Sequence, residues 1–210
     1  MICWNPNPVF YSGAVAWKLE VIQHPEFAAE TPLEIYGAYG LGGLPIVPAP
    51  VVKVTRLVDG TKVPLEVREA SQLILTPHIV RLGENDVPVE EVPLEGIAFD
   101  PPPSCVMDRD PETHQEQCIF VFGDICVRNL GRYTLWFTLL SRDDTILLGG
   151  VHTVYTNPFE VVPRNRWALN YTTLSARLNR DHPYLRIYRG GPHGPANPAE
   201  VERDGNGHIP

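Results

Sequence analysis

Two hydrophobic patterns meet between Cys118 and Leu140, where the chain reads CIFVFGDICVRNLGRYTLWFTLL. In the first part, Ile119, Val121, Ile125 and Val127 take odd positions while Phe120, Phe122 and Cys126 take even ones, so both faces of an extended segment are apolar. A strand of that kind belongs inside a sheet. In the second part, Tyr133, Leu135, Phe137 and Leu139 alternate with Arg132, Thr134, Trp136 and Thr138. That period of two is expected when one face meets a core and the other water. Between them, Arg128-Asn129-Leu130-Gly131 contains residues that tolerate positive φ in a tight connection. The pattern predicts a buried β-hairpin with its two arms paired.

Further strands follow from the same reasoning. Trp17–Gln23 alternates Trp17, Leu19 and Val21 against Lys18, Glu20 and Ile22. Val51–Val58 has a strand pattern, and Asp59-Gly60 is a hairpin signal leading into a strand over 62–68. Leu73–Leu82 is a strand that Pro77 confines to an edge or splits. Residues 94–99, 146–156, Phe159–Val162 and 185–188 complete the set. The expected connections are a long exposed loop over 26–50, an acidic loop over 84–93 and a polar, solvent-facing link over 108–117. One helix is predicted, over 172–179: Thr172 or Thr173 can cap it, and Leu174 and Leu178 fall one turn apart.

Composition agrees with an all-β chain. Its 22 prolines and 17 glycines in 210 residues break long helices and suit short strands joined by loops. The length fits one β-sandwich domain, expected over 17–189 between an irregular leader, 1–16, and a flexible tail, 190–210. The net charge of -8 is unevenly spread: residues 1–163 carry 10 Lys/Arg against 21 Asp/Glu, whereas residues 164–210 carry 7 against 4. Between Arg164 and Arg189 stand six arginines and one acid, Asp181, so attraction to phosphate would concentrate there. A solvated basic face is the plainer reading.

Cys3, Cys105, Cys118 and Cys126 contain no CxxC pair, and they read as reduced core residues. A Cys105–Cys118 bridge is conceivable in an exported protein, but no secretory leader pattern or run of about 18 apolar residues is present. The chain is therefore expected to be soluble and intracellular, with no membrane association. Catalytic signatures are missing. Gly37–Gly43 lacks the Lys-Ser/Thr of a P-loop, and there is no GxSxG elbow. His114 with Cys105, Cys118 and Cys126 matches no common zinc spacing, and on one extended strand Cys118 and Cys126 would lie ~26 Å apart. Asp108, Asp110 and Glu112 lack the glycine and spacing of a calcium loop and read as solvated. Asn170-Tyr171-Thr172 is a glycosylation sequon that matters only in a secretory compartment. No enzyme, metal, cofactor or small-molecule substrate is expected.

The stretch FVFGDICVRNLGRYTLWF resembles the signature strand pair of the fungal velvet family, with Phe120, Phe122, Asp124, Val127, Arg128, Gly131, Tyr133, Leu135 and Phe137 in register. Pro158, Phe159 and Val161 resemble the family's Pro-Phe-x-Val segment, Leu174-Ser175 its Leu-Ser helix, and Leu185–Arg189 its closing strand. Upstream, Trp17–Gln23 with Pro25, and Pro48–Val52, are similar to its opening elements. The resemblance implies an immunoglobulin-like β-sandwich related to the Rel/NF-κB DNA-binding domain. It also implies homo- or heterodimerisation with a velvet-family protein, and DNA-binding regulation of development and secondary metabolism in the nucleus as well as the cytoplasm. Where the family places basic DNA contacts after its Gln-Pro, this chain has Glu26, Phe27, Ala28, Ala29 and Glu30, which cannot neutralise phosphates. Arg164, Arg166 and Arg189 are the remaining candidate DNA contacts. A protein-interaction module that has lost DNA contact is the alternative, consistent with the acidic charge. A secreted carbohydrate-binding sandwich would need an export signal and oxidised Cys105 and Cys118.

Overall fold

The computed structural model describes residues 11–12, 15–31, 44–92, 97–98, 105–142, 148, 151–185 and 187. The chain forms an all-β sandwich of two six-stranded sheets. The first sheet runs β1 (Tyr11–Ser12), β2 (Val15–Gln23), β4 (Val51–Val58), β10 (Glu116–Val121) and β9 (Val106–Arg109), with β5 (Thr61–Val63) also on β4. The second runs β3 (Phe27–Ala29), β14 (Phe159–Val162), β12 (Gly131–Ser141), β6 (Leu73–Leu82) and β7 (Pro88–Val92), with β13 (His152–Tyr155) also on β12. A two-stranded ladder joins β8 (Ile97–Ala98) to β11 (Cys126–Val127). One core cluster fills the space between the sheets: Trp17, Val52, Val54 and Phe120 come from the first, and Leu75, Leu135, Phe137 and Phe159 from the second. Phe122 and Phe137 meet there with ring centroids 4.6 Å apart.

The expected hairpin is not one. Its first arm, β10, pairs with β4 and β9, and its second, β12, pairs with β6, β13 and β14 in the opposite sheet. The chain leaves the first sheet at Phe122, whose N–H donates to Pro50 O at 2.9 Å, and Ile125 O accepts from Ile46 N at 2.8 Å. The doubly apolar pattern has a different cause. Cys118 and Phe120 face the sandwich core, while Ile119 and Val121 face outward into a second cluster with Val51, Val106, Leu178 and Ile187. Leu178 belongs to α2 (Thr173–Asp181), which covers that outer face. Because β10 ends at Val121, Cys118 and Cys126 do not share one extended strand, and the ~26 Å separation expected along such a strand does not apply. Among the described residues, no group of three His, Cys, Asp or Glu could hold a metal.

Several segments take the form the sequence implies. β4 and β5 are joined by Asp59 and Gly60, both at positive φ (50° and 78°), which supplies the twist a tight hairpin needs. β6 is continuous through Pro77 because β7 pairs only with Ile79–Leu82, leaving Pro77 where β6 has β12 alone as its neighbour. The predicted helix is α2.

Other segments differ. The acidic stretch forms a 3-10 turn, Glu84–Asp86, and the edge strand β7 instead of a loop. Residues expected to continue a strand past β5 form a one-turn helix, α1 (Val67–Ala70), closed by a capping box between Glu66 and Glu69. In the long expected loop, Ala28 and Ala29 are buried in β3, which pairs parallel with β14, and residues 45–50 are buried too. The glycine-rich part of that loop, 37–43, lies outside the described residues. β1 and the start of β2 fall within the segment expected to be irregular. Leu185 and Ile187 are in no strand, and Arg186 and residues 188–210 lie outside the described residues.

Candidate nucleic-acid interface

The candidate arginines follow from how β14 ends. On one side of β12, β13 pairs with Trp136–Leu139 and β14 with Gly131–Tyr133. Between them Thr156 completes the ladder: its N–H donates to Leu135 O at 2.9 Å and its Oγ1 accepts from Leu135 N at 3.1 Å. Asn157 and Pro158 then step away, and β14 proceeds beside β3, with Val162 opposite Ala29. Pro163 ends the strand, and Arg164–Arg166 form a 3-10 turn. Arg166 is exposed and, among the described residues, engages in no ion pair, while Arg164 is half-buried. Arg189 lies outside the described residues.

Two acidic residues, Glu26 and Glu30, bracket β3, the strand that pairs with β14 just before this turn. Glu30 N–H donates to Val162 O at 3.0 Å, so Glu30 stands one step from the arginine turn. Glu26 Oε2 accepts from Asn170 Nδ2 at 2.7 Å, tying the acidic loop to the segment between the turn and α2. Beside it opens a cavity of about 460 Å³ lined by Gln23, His24, Glu26, Phe27, Asn157 and Thr172 among others. Burial lowers the His24 pKa, so at neutral pH the ring is uncharged and its Nδ1 accepts the Asn157 N–H at 2.9 Å. The cavity therefore offers no fixed positive charge from histidine.

Among the described residues, the other two arginines of the basic segment, Arg177 and Arg180, are paired. Arg177 binds Asp108 through both carboxylate oxygens, at 2.8 and 2.9 Å. Asp108 is 3% exposed and also accepts from Gln117 Nε2 at 3.0 Å, with His182 Nε2 3.3 Å away. Burial alone would raise its pKa, yet the bonds from Arg177 and Gln117 outweigh that and hold the carboxyl below the usual range. Arg180 pairs with its neighbour Asp181 at 2.8 Å. The expectation of a solvated acidic loop is thus corrected at Asp108, which sits in β9 facing α2. Asp110 does remain in a turn, accepting from Glu112 N and Thr113 N at 2.9 Å. The sequence signal for the buried pair was the alternation of Val106 and Asp108 on one face of a strand, legible only once α2 is known to cover it.

A second clamp fixes the other end of α2. Thr172 caps the helix by accepting from Ser175 N at 3.0 Å and donates to Gln23 Oε1, while Gln23 Nε2 donates to Ala49 O at 2.6 Å. Gln23 is buried, so these bonds satisfy a side chain that would otherwise be costly to enclose. α2 is thereby held at both ends on the outer face of the first sheet.

The Velvet factor family model matches residues 101–182, the span from just before β9 to the end of α2. Over that span, which is less than half of the chain, the protein is similar to the velvet family. The matched span includes the arginine turn and both strands of the Cys118–Leu140 stretch. No curated protein matches the chain. Among solved structures, a DUF4426 family protein from Pseudomonas aeruginosa PAO1 aligns with 75% of this chain and 96% of its own at 10% identity, with a TM-score of 0.29, a likeness too loose to bear on function. Among the described residues, no helix is long and apolar enough to cross a membrane.

Proposed function

We propose that this chain is a velvet-type regulator that acts in the nucleus as a dimer with a second, more basic velvet protein, controlling fungal development and secondary metabolism, and that it adds only a small basic contact to DNA. The observation carrying this reading is the exposed Arg166 on the Arg164–Arg166 turn, in a chain whose net charge is -8. Two arginines on an acidic chain give little net attraction to a phosphate backbone, so affinity must come mainly from the partner. Gel-shift titration over a salt series tests it. The chain alone should retard DNA weakly, and addition of a velvet partner should yield a complex whose affinity falls with salt. In that complex Arg166→Glu should weaken binding uniformly across sequences and lower the salt slope by about 1.

The second reading, an interaction module without DNA contact, is favoured by a separate observation. Arg177 and Arg180 of the basic segment are already paired with Asp108 and Asp181. Co-purification with a velvet partner that retains no DNA at low salt would select it.

A further inference from the structure

Cys105 and Cys118 meet across the β9–β10 pair. Cys118 stands opposite Met107, and Cys105, two residues before Met107, lies on the same face, so all three pack toward the core between the sheets. The two Sγ atoms are 2.6 Å apart. That is well inside the ~3.5–4.0 Å at which non-bonded heavy atoms are at their optimum, and about half an ångström above a sulfur–sulfur bond. Cys118 is buried and Cys105 half-exposed, so Cys105 is the first of the two that a reagent would reach. Cys126 is not a competitor: it lies beyond the corner at Phe122–Ile125, with its thiol directed to Asp124 O at 3.8 Å, and burial, then Asp124, pushes its pKa up to about 11.

We propose that Cys105 and Cys118 are a covalent modification site, forming a reversible disulfide that staples the edge strand β9 to β10. The oxidant class is a small disulfide such as glutathione disulfide. Cys105, as thiolate, attacks one of its sulfurs and releases the first glutathione. Cys118 then gives up its proton, attacks the Cys105 sulfur of the mixed disulfide and expels the second. Two protein thiols become one S–S bond while one glutathione disulfide becomes two thiols, which carry away both protons and both electrons. In the reduced protein, contact with Cys105 and burial raise the Cys118 thiol above its ordinary range; burial persists in the mixed disulfide, so the second step quickens as pH rises. The staple bears on more than one strand, because β9 carries Asp108, the anchor of α2.

The test uses the whole chain, equilibrated at pH 8 in reduced and oxidised glutathione buffers, acid-quenched, unfolded, alkylated and mapped by mass spectrometry without reductant. A Cys105–Cys118 linked peptide should appear in oxidised buffer and vanish with dithiothreitol. Closing a loop of this size should raise the thermal midpoint by roughly 6–12 °C. Cys105→Ser, at the half-exposed position, keeps the buried thiol and should lose both the link and the shift. Alkylation of both thiols after full oxidation, linkage of either to Cys3 or Cys126, or an equal midpoint shift in Cys105→Ser would overturn the proposal.

Discussion

Asp108 shows how one residue can change meaning between sequence and fold. In the string DRDPETHQEQ it looks like one more solvated acid, yet its side chain is 2% exposed and bonded to Arg177 on α2. Removing one partner of a buried pair leaves the other uncompensated, so Arg177→Met should cost about 3 kcal/mol in urea denaturation. The pH dependence has a definite sign. Because the folded Asp108 pKa lies below its unfolded value, its contribution is fully present above the unfolded pKa, about 3.9, and is lost as pH falls through the folded value. The stability gap between the wild type and Asp108→Asn should therefore hold steady from neutral pH down to about 5 and shrink below about 4. A gap that widened on acidification would contradict the assignment.

At the scale of elements, α2 is the piece whose placement decides most. Its sequence marks are local: Thr172 as cap, and Leu174 and Leu178 on one face. Its partners are remote, since Gln23 lies at the end of β2 and Asp108 in β9. Thr172→Ala should lower stability by about 1 kcal/mol for the cap, with further loss from Gln23, whose Oε1 would be left without its donor. Amide exchange should show the change concentrated in α2, while β12 and β6 keep their protection. The Asn129–Gly131 connection was legible for a similar reason, being local. Gly131 has φ of 144°, and Tyr133 pins the turn by donating to Asn129 O at 3.1 Å. The connection nonetheless leads into the opposite sheet, because its residues dictate a turn and not which sheet receives the next strand.

For the whole molecule, the stretch from β10 to β12 is the crossing between two sheets, so the core belongs to both. Phe120, fully buried, packs in the same cluster as Leu135 and Phe137 of the facing sheet. Phe120→Ala should cost about 3–5 kcal/mol, and the loss should appear as a single transition in which far-ultraviolet circular dichroism and tryptophan fluorescence coincide. Two separated transitions would show that the sheets unfold independently. Charge also acts at this scale: the net -8 opposes polyanion binding, and the exposed Arg166 is set against that acidic background.

The sequence by itself determined the strand class, most strand positions, the capped helix and the family resemblance, because alternation, turn residues and caps are properties of neighbours along the chain. It placed β4, β6 and β14 and the Asp59-Gly60 hairpin at their observed positions. Only the tertiary structure decided that β10 and β12 face each other from opposite sheets and that α2 explains the second apolar face of β10. It alone placed Asp108 beneath Arg177 and Cys105 against Cys118. Those relations join residues far apart in sequence or on different strands, and they depend on register and packing that no local pattern encodes.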